Sequence, residues 1–397
     1  MPPPILLDLS HTSHTRARTG VQRVARALGR ALAGRALEVC FDPYESAWRP
    51  LEAYEAANLA ADDPSPGRGA RWPLSARLRG RLRRIGRRRS PLDAALLAPH
   101  GADSAFVFPE IFSPAVGLAL PRLFASARGP RVALFHDAIA LQFPEHTPRG
   151  SVARFPGYLR ELLQFDGVAA VSEDSRRALV DYWAWLGAER TPEVAAIPLG
   201  LDAPPPTPER GPAGRLTTIL CVGSIEGRKN HVALLEACES LWARGLSFRL
   251  RLVGLANPET GGAALARITE LRARGRPVQF DGAVDEQGLE SAYRDCAFTV
   301  YPSLAEGFGL PVAESLARGR PCLCRQEGAL GEVSRDGGCV GIGAASAQEI
   351  AGAVEALLAS PTRLAALEEA ARGRRFKTWG EYASDLTGWM GSLRRNA

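Results

Sequence analysis

The segment Tyr301-Pro-Ser-Leu-Ala-Glu306-Gly-Phe-Gly309-Leu-Pro-Val-Ala-Glu314-Ser-Leu-Ala-Arg-Gly-Arg-Pro-Cys-Leu-Cys-Arg325 reads as strand end, loop, helix and strand in succession. Apolar Ala297–Tyr301 predicts a strand. Glu306, Gly307 and Gly309 lie on the loop that follows it. Pro311 predicts the opening of a helix, because a proline there gives up an N–H that would have no partner anyway. The two glycines allow backbone to approach a ligand, and the helix start offers unpaired N–H groups to an anion. Glu306 on the loop and Glu314 in the first helical turns then flank an anion-accepting nook. Such a nook suits a nucleotide sugar, with N–H groups for phosphate and carboxylates for sugar and ribose hydroxyls.

Upstream, Cys221-Val-Gly-Ser-Ile-Glu-Gly-Arg-Lys-Asn-His231 predicts a strand ending at Gly223 and a helix beginning near Asn230. Arg228 and Lys229 sit on the loop between them, where cations beside a helix start suit a diphosphate. Farther upstream, the segment Arg131 to Glu145 is a strand emptying into His136 and Asp137. Ile5–Leu9, Ala105–Phe108, Val132–His136 and Gly167–Val171 read as strands of a first domain, and Val21 to Leu37 reads as a helix. Thr217–Val222, Arg249–Val253, Val278–Phe280, Ala297–Tyr301 and Pro321–Cys324 form a second set. Alternating short apolar strands and helices predict an α/β chain with two doubly wound parallel sheets, which bind ligands outside the carboxyl ends of their strands. Pro-rich Ala203 to Pro212 reads as the linker. The expected division is residues 1–200 with an Arg-rich insertion at 64–92, residues 201–375, and a terminal helical stretch at 376–397.

Glu306 and Glu314, eight apart around Gly-Phe-Gly-Leu-Pro, resemble the E-x7-E signature of the retaining glycosyltransferase family 4 (group 1), of GT-B fold. Matches follow in order along nearly the whole chain. The resemblance implies two Rossmann-like domains facing across a cleft, with a last helix crossing back onto the first. It implies donor contacts at Gly223, Ser224, Phe308, Gly309, Leu310 and Glu314, with catalytic roles for Lys229, Arg228 and Glu306. Phe280-Asp-Gly-Ala-Val284 falls where family members receive the base. Thr19-Gly20-Val21, after the first strand, resembles the loop that brings a glycine (here Gly20) close to donor phosphate or acceptor. The His136-Asp137 segment resembles that of mannosyltransferase-like members, whose histidine contacts the donor sugar. Ser172-Glu-Asp-Ser175 resembles the family's Ser-x-x-Ser turn and is first of all a helix N-cap pattern. One departure stands out: many members carry arginine directly after the glycine, where this chain has Ser224, and Arg228 is placed to supply the charge.

The implied reaction is transfer of a hexosyl group from a nucleotide diphosphate sugar with retention at the anomeric carbon. GDP-mannose is favoured as donor and a UDP-hexose comes next. The acceptor class is a saccharide or polyprenyl-linked saccharide of bacterial surface polysaccharide synthesis. No D-x-D triplet occurs in the chain, so activity without a metal is expected, and no cofactor is implied. Competing readings are a UDP-N-acetylglucosamine epimerase on a similar two-domain fold, which should lack the E-x7-E spacing, and a nucleotide-sugar-binding protein without turnover.

Composition is that of an ordinary globular protein, 46% hydrophobic and 23% charged over 397 residues. The net charge of +6 is local. Between Arg68 and Arg89 lie ten arginines and no acidic residue, so the rest of the chain is net acidic. Leu74, Leu78, Leu82 and Ile85 recur there at helical spacing. A basic amphipathic helix is expected, suited to an anionic membrane surface or to a lipid diphosphate. Nucleic acid is not an expected partner, since only Trp72 offers a stacking ring and no binding motif appears. The seven scattered cysteines read as buried free thiols. The first residues lack a signal-peptide pattern and no apolar run reaches spanning length. A cytoplasmic location, with peripheral contact to the inner face of the plasma membrane, is the expectation.

Overall fold

The structure is a computed structural model that describes residues 5–61, 69–86, 103–202 and 216–393. The linker read at Ala203 to Pro212 lies outside the described residues, as do Arg68 and Arg87–Arg89 of the basic stretch. The chain forms two compact units. One comprises Met1–Asp137, Arg154–Gly200 and Trp379–Ala397; the other comprises Ala138–Ala153 and Leu201–Thr378.

Unit one is built on a seven-stranded sheet in the order β3-β2-β1-β4-β5-β6-β7. Its strands are β1 Ile5–Asp8, β2 Ala36–Asp42, β3 Ala47–Pro50, β4 Ala105–Phe108, β5 Arg131–Phe135, β6 Gly167–Ala170 and β7 Glu193–Ala196. All pairings are parallel except β2 with β3. The central strands are buried along their whole length, which explains why they read as unbroken apolar runs rather than alternating ones. Phe108, Phe112, Phe124 and Phe165 interlock beneath this sheet, ring on ring. Each such ring removed from water contributes about 1.5–3 kcal/mol.

Unit two carries a six-stranded, wholly parallel sheet in the order β10-β9-β8-β11-β12-β13. Its strands are β8 Thr217–Val222, β9 Phe248–Val253, β10 Val278–Phe280, β11 Phe298–Tyr301, β12 Cys322–Arg325 and β13 Cys339–Ile342. Ile219, Leu250, Leu252, Phe298, Val300 and Leu323 pack there against Leu234, Leu235 and Leu241 of the helix His231–Ala243. The order reverses between β8 and β11, and a doubly wound sheet opens its ligand crevice at such a reversal. In unit one the same reversal falls between β1 and β4.

Several expectations shift. The helix read over Val21 to Leu37 ends at Ala31, and Ala36 already begins β2. Gly34, at φ 75°, makes the turn between them. Within the terminal stretch expected at 376–397 lies the helix Trp379–Met390, in unit one, and the helix before it, Pro361–Arg372, falls in unit two. Ala138–Ala153, read within the 1–200 domain, groups with unit two instead. There Arg149 N–H donates to Glu259 Oε1 at 2.8 Å, and the His146 ring abuts Gly227. Among the described residues no single helix is long and apolar enough to cross a membrane.

Candidate active site

The loops that leave β8 and β11 meet at the reversal point of unit two, and the side chains they carry form one closed charge cluster. After β8, Gly223 takes φ 153°, a conformation that favours glycine. A Cβ at Gly223 would stand 3.7 Å from both Lys229 Cε and Tyr301 Cε2, so the backbone here runs directly along the cluster. A single turn of 3-10 helix, Gly227–Lys229, carries the two cations. Asn230 in the left-handed region then starts the next helix, held by its Nδ2 donating to Ala345 O at 2.8 Å.

Lys229 is buried, and its Nζ donates to Glu306 Oε1 at 2.5 Å and to the Tyr301 hydroxyl. Tyr301 in turn donates to the same Glu306 oxygen at 3.0 Å, and its ring centroid lies 4.7 Å from Nζ. Arg228 reaches the other oxygen, Glu306 Oε2, at 2.9 Å, while Glu226 Oε1 holds its second nitrogen at 2.8 Å. Arg228 also donates to Ala305 O, and Leu304 N–H donates to Arg228 O, so the two loops are stitched together through backbone. Each cation is thus already matched by a carboxylate.

The electrostatics follow from that pairing. Burial works to raise the Glu306 pKa, but Arg228 and Lys229 outweigh it and hold the carboxyl at about 2. Burial, reinforced by Arg228, pulls Lys229 below the ordinary lysine range, with Glu306 opposing. His231 follows Lys229 closely in sequence. Burial, with Lys229 acting in the same direction, lowers it to about 3, so it stays neutral and adds no third positive charge.

Gly309, at φ 99°, caps the helix Leu310–Ala317, whose second residue is Pro311. A Cβ at Gly309 would stand 2.9 Å from Leu330 Cδ2, so the backbone favours glycine and any larger residue would also push the leucine end aside. Glu314 is buried one turn in, where Tyr293 donates to its Oε2 at 3.3 Å. Val284 packs half-buried against Leu220, Val253, Ala292 and Tyr293. Among the described residues no three His, Cys, Asp or Glu side chains converge in a way that could hold a metal.

Residues 208–374 match the family described as Glycosyl transferases group 1. This segment is a group 1 glycosyltransferase domain. The serotype-specific mannosyltransferase WbdA of Escherichia coli is 26% identical over 376 residues, covering 89% of this chain and 42% of WbdA. The O-antigen chain mannosyltransferase B of Escherichia coli is 28% identical over 222 residues, covering 53% of this chain and 56% of that protein. The chain therefore spans about half the length, or less, of these curated relatives. Among solved structures, Anabaena HepE in complex with UDP and glucose superposes with a TM-score of 0.70 at 16% identity, covering 98% of this chain and 100% of that one. That likeness shows the fold, which is GT-B.

Within the group 1 domain the expected Lys229, Arg228, Glu306, Gly223 and Gly309 come together, and Glu314 lies on the helix that Gly309 caps. Ser224 and Phe308 lie on the two loops and are half-buried; Leu310 is the first residue of that helix. His136 and Gly20 belong to unit one. His136 follows β5 and is buried; its Nε2–H donates to Pro109 O at 2.7 Å, which leaves Nδ1 as the acceptor nitrogen of the neutral ring. Burial lowers its pKa, against the pull of the Pro109 carbonyl and Asp137. The Ser172–Ser175 turn is a helix N-cap, with Ser172 Oγ accepting from Ser175 N–H, and Ser175 Oγ also donates to His136 O at 3.0 Å. One turn thereby caps a helix and pins the histidine. Gly20 is the first residue of the helix Gly20–Ala31, behind a Thr19–Gln22 capping box, and a Cβ there would meet nothing within 4 Å.

Reading the sequence alone missed Tyr301, Glu226 and Tyr293 as site residues. Glu226 had a local signal, an acid two positions before Arg228 on the same loop. Tyr301, at a strand end, and Tyr293, within the helix Glu286–Asp295, had none beyond being polar-tipped aromatics.

Proposed function

We propose that the chain is a retaining, metal-independent hexosyltransferase that moves a mannosyl group from GDP-mannose to a saccharide or polyprenyl-linked saccharide of surface polysaccharide synthesis. The observation that carries this reading is the Lys229–Glu306–Arg228–Glu226 cluster at the sheet reversal of a group 1 domain. Two cations, Lys229 buried and Arg228 half-buried, held by exchangeable carboxylates are what a leaving diphosphate needs. When the donor enters, its phosphate oxygens take over Lys229 and Arg228 from Glu306, and the N–H groups at Phe308, Gly309 and Leu310 complete the anion site. Glu306, released from the cations, orients the sugar. Glu314 holds ribose hydroxyls. In unit one, the neutral His136 offers Nδ1 as an acceptor for a hydroxyl, the role that the resemblance of its segment implies.

The bond from the anomeric carbon to the diphosphate breaks as the bond to the acceptor oxygen forms on the same face. The acceptor's proton passes to the departing phosphate oxygen. The mannosyl choice is supported by the names of the relatives and by the His136-Asp137 segment; a UDP-hexose is the second donor to test. A cytoplasmic setting is supported by the cysteines, all of them free thiols and all but Cys339 buried.

Thermal shift and slow hydrolysis across a panel of GDP- and UDP-sugars test the reading. GDP-mannose should give the largest shift and release mannose in the α configuration, unchanged by chelator. Absence of a shift with every nucleotide, or unimpaired turnover in Lys229→Ala, would overturn it.

A further inference from the structure

The helix Leu74–Gly86 in unit one is turned inside out relative to an ordinary surface helix. Globular proteins bury the apolar stripe of such a helix and expose its polar face. Here Leu74, Leu78, Leu82 and Ile85 are 60–75% exposed, while Ala76 and Gly80 are buried. At about 100° per residue the four large side chains fall within roughly an 80° arc, and Ala76 and Gly80 point to the far side. The seating is tight on that far side. A Cβ at Gly80 would stand 2.8 Å from Tyr44 Cβ and 2.9 Å from Asp42 Oδ1. Arg79 and Arg83 are tied to Glu52 at 2.6 and 3.1 Å. The helix is therefore anchored by its small face and its inner arginines, and its large apolar stripe meets solvent.

Arg77, Arg81 and Arg84 run along one border of the stripe, all exposed, the first two resting over the Tyr44 ring. No acidic residue lies between Gly69 and Gly86. We infer that this face is a docking surface for an anionic lipid bilayer, with the four apolar side chains entering the headgroup–acyl boundary and the arginines meeting lipid phosphates. A second copy of the chain fits less well, because pairing two such faces would bring two arginine borders together with no carboxylate on either helix. The inference goes beyond the donor site and does not rest on it. A chain that transferred no sugar would still partition.

Flotation of the full chain with phosphatidylcholine vesicles, with and without phosphatidylglycerol, tests it. The wild type should float with the anionic vesicles, weakly with the neutral ones, and less in high salt. Each of Arg77→Gln, Arg81→Gln and Arg84→Gln should lower partition roughly fivefold. Leu78→Ser/Leu82→Ser should lower it at least tenfold while leaving the melting temperature and nucleotide binding nearly unchanged, since both side chains are mostly exposed. Failure of the wild type to float with anionic vesicles overturns the inference. So does equal flotation of the double serine variant, or a solution dimer that this variant dissolves without any vesicle binding.

Discussion

Replacing Glu306 by glutamine separates two jobs that one carboxylate does, bracing the cations Lys229 and Arg228 and, when a donor is present, orienting its sugar. The bracing has a magnitude. A folded carboxyl at about 2 against an ordinary 4.5 corresponds to about 3 kcal/mol of folding stability at neutral pH. Burial of the Lys229 charge works the other way, so a net loss of about 2–3 kcal/mol is expected for Glu306→Gln. Because the folded carboxyl ionises more readily than the unfolded one, this contribution is complete above about pH 4.5 and drains as pH falls toward 2. The gap in melting temperature between wild type and variant should accordingly be widest near neutrality and shrink below pH 4. Nucleotide binding should move the opposite way. With the competing carboxylate gone, Lys229 and Arg228 are released to phosphate; one charge-assisted hydrogen bond no longer has to be broken. About 1.5 kcal/mol, or roughly tenfold tighter GDP, follows. Transfer should nevertheless fall by about 10²–10³, the usual cost of one misplaced transition-state partner. Calorimetric titration with GDP and UDP, melting curves from pH 3 to 8 and donor turnover read all three. Weaker nucleotide binding together with an unchanged melting temperature would refute the view that Glu306 holds the cations in reserve.

Tyr301→Phe keeps the ring beside Lys229 but removes the hydroxyl that joins Lys229 to Glu306; kcat should fall about tenfold with KM little moved, as steady-state kinetics would show. Burial keeps His136 neutral below its ordinary pKa of 6.5, so kcat/KM should stay flat down through pH 6.5. Folding stability, in contrast, should begin to fall as pH drops below 6.5, where the unfolded chain binds protons that the folded one refuses; His136→Gln should make that limb of a melting-temperature profile shallower, with His231 carrying the remainder. At Gly254, φ 150°, a Cβ would lie 2.0 Å from Gly223 O. Gly254→Ala should destabilise by about 2–4 kcal/mol or displace the Gly223 loop, visible as a lower melting temperature with weaker nucleotide binding.

What could be read from the chain before its structure was whatever local chemistry determines. Gly309 and Pro311 fix a loop-to-helix junction wherever they occur, and Glu306, Lys229 and Arg228 announce charges at strand ends. The strands β1, β4, β8 and β11 were legible because their central residues are covered on both faces and mostly apolar. Harder were β2, β3, β7 and β13, which stand toward the sheet edges and carry polar or glycine residues such as Glu38, Arg49, Glu193 and Gly341. The grouping of Ala138–Ala153 with unit two was hidden for another reason. It depends on contacts such as Arg149 with Glu259 that no local pattern encodes.

The same limit explains Tyr301 and the pairing inside the cluster. Lys229 and Glu306 are far apart in sequence, and nothing in either segment says that the lysine will find that carboxylate. The sheet order says it. Because β11 lies beside β8, the loops at their carboxyl ends must share one patch of space. Four charges delivered to that patch, two of each sign and largely out of water, have to pair in whatever way leaves none unmatched. A site built so is close to neutral and has little field with which to draw in an anion from a distance. Its selectivity must come at contact, from a ligand able to replace both oxygens of Glu306 at once. A diphosphate does so and brings more negative charge and more acceptor oxygens than the carboxylate it displaces; a lone hydroxyl does not.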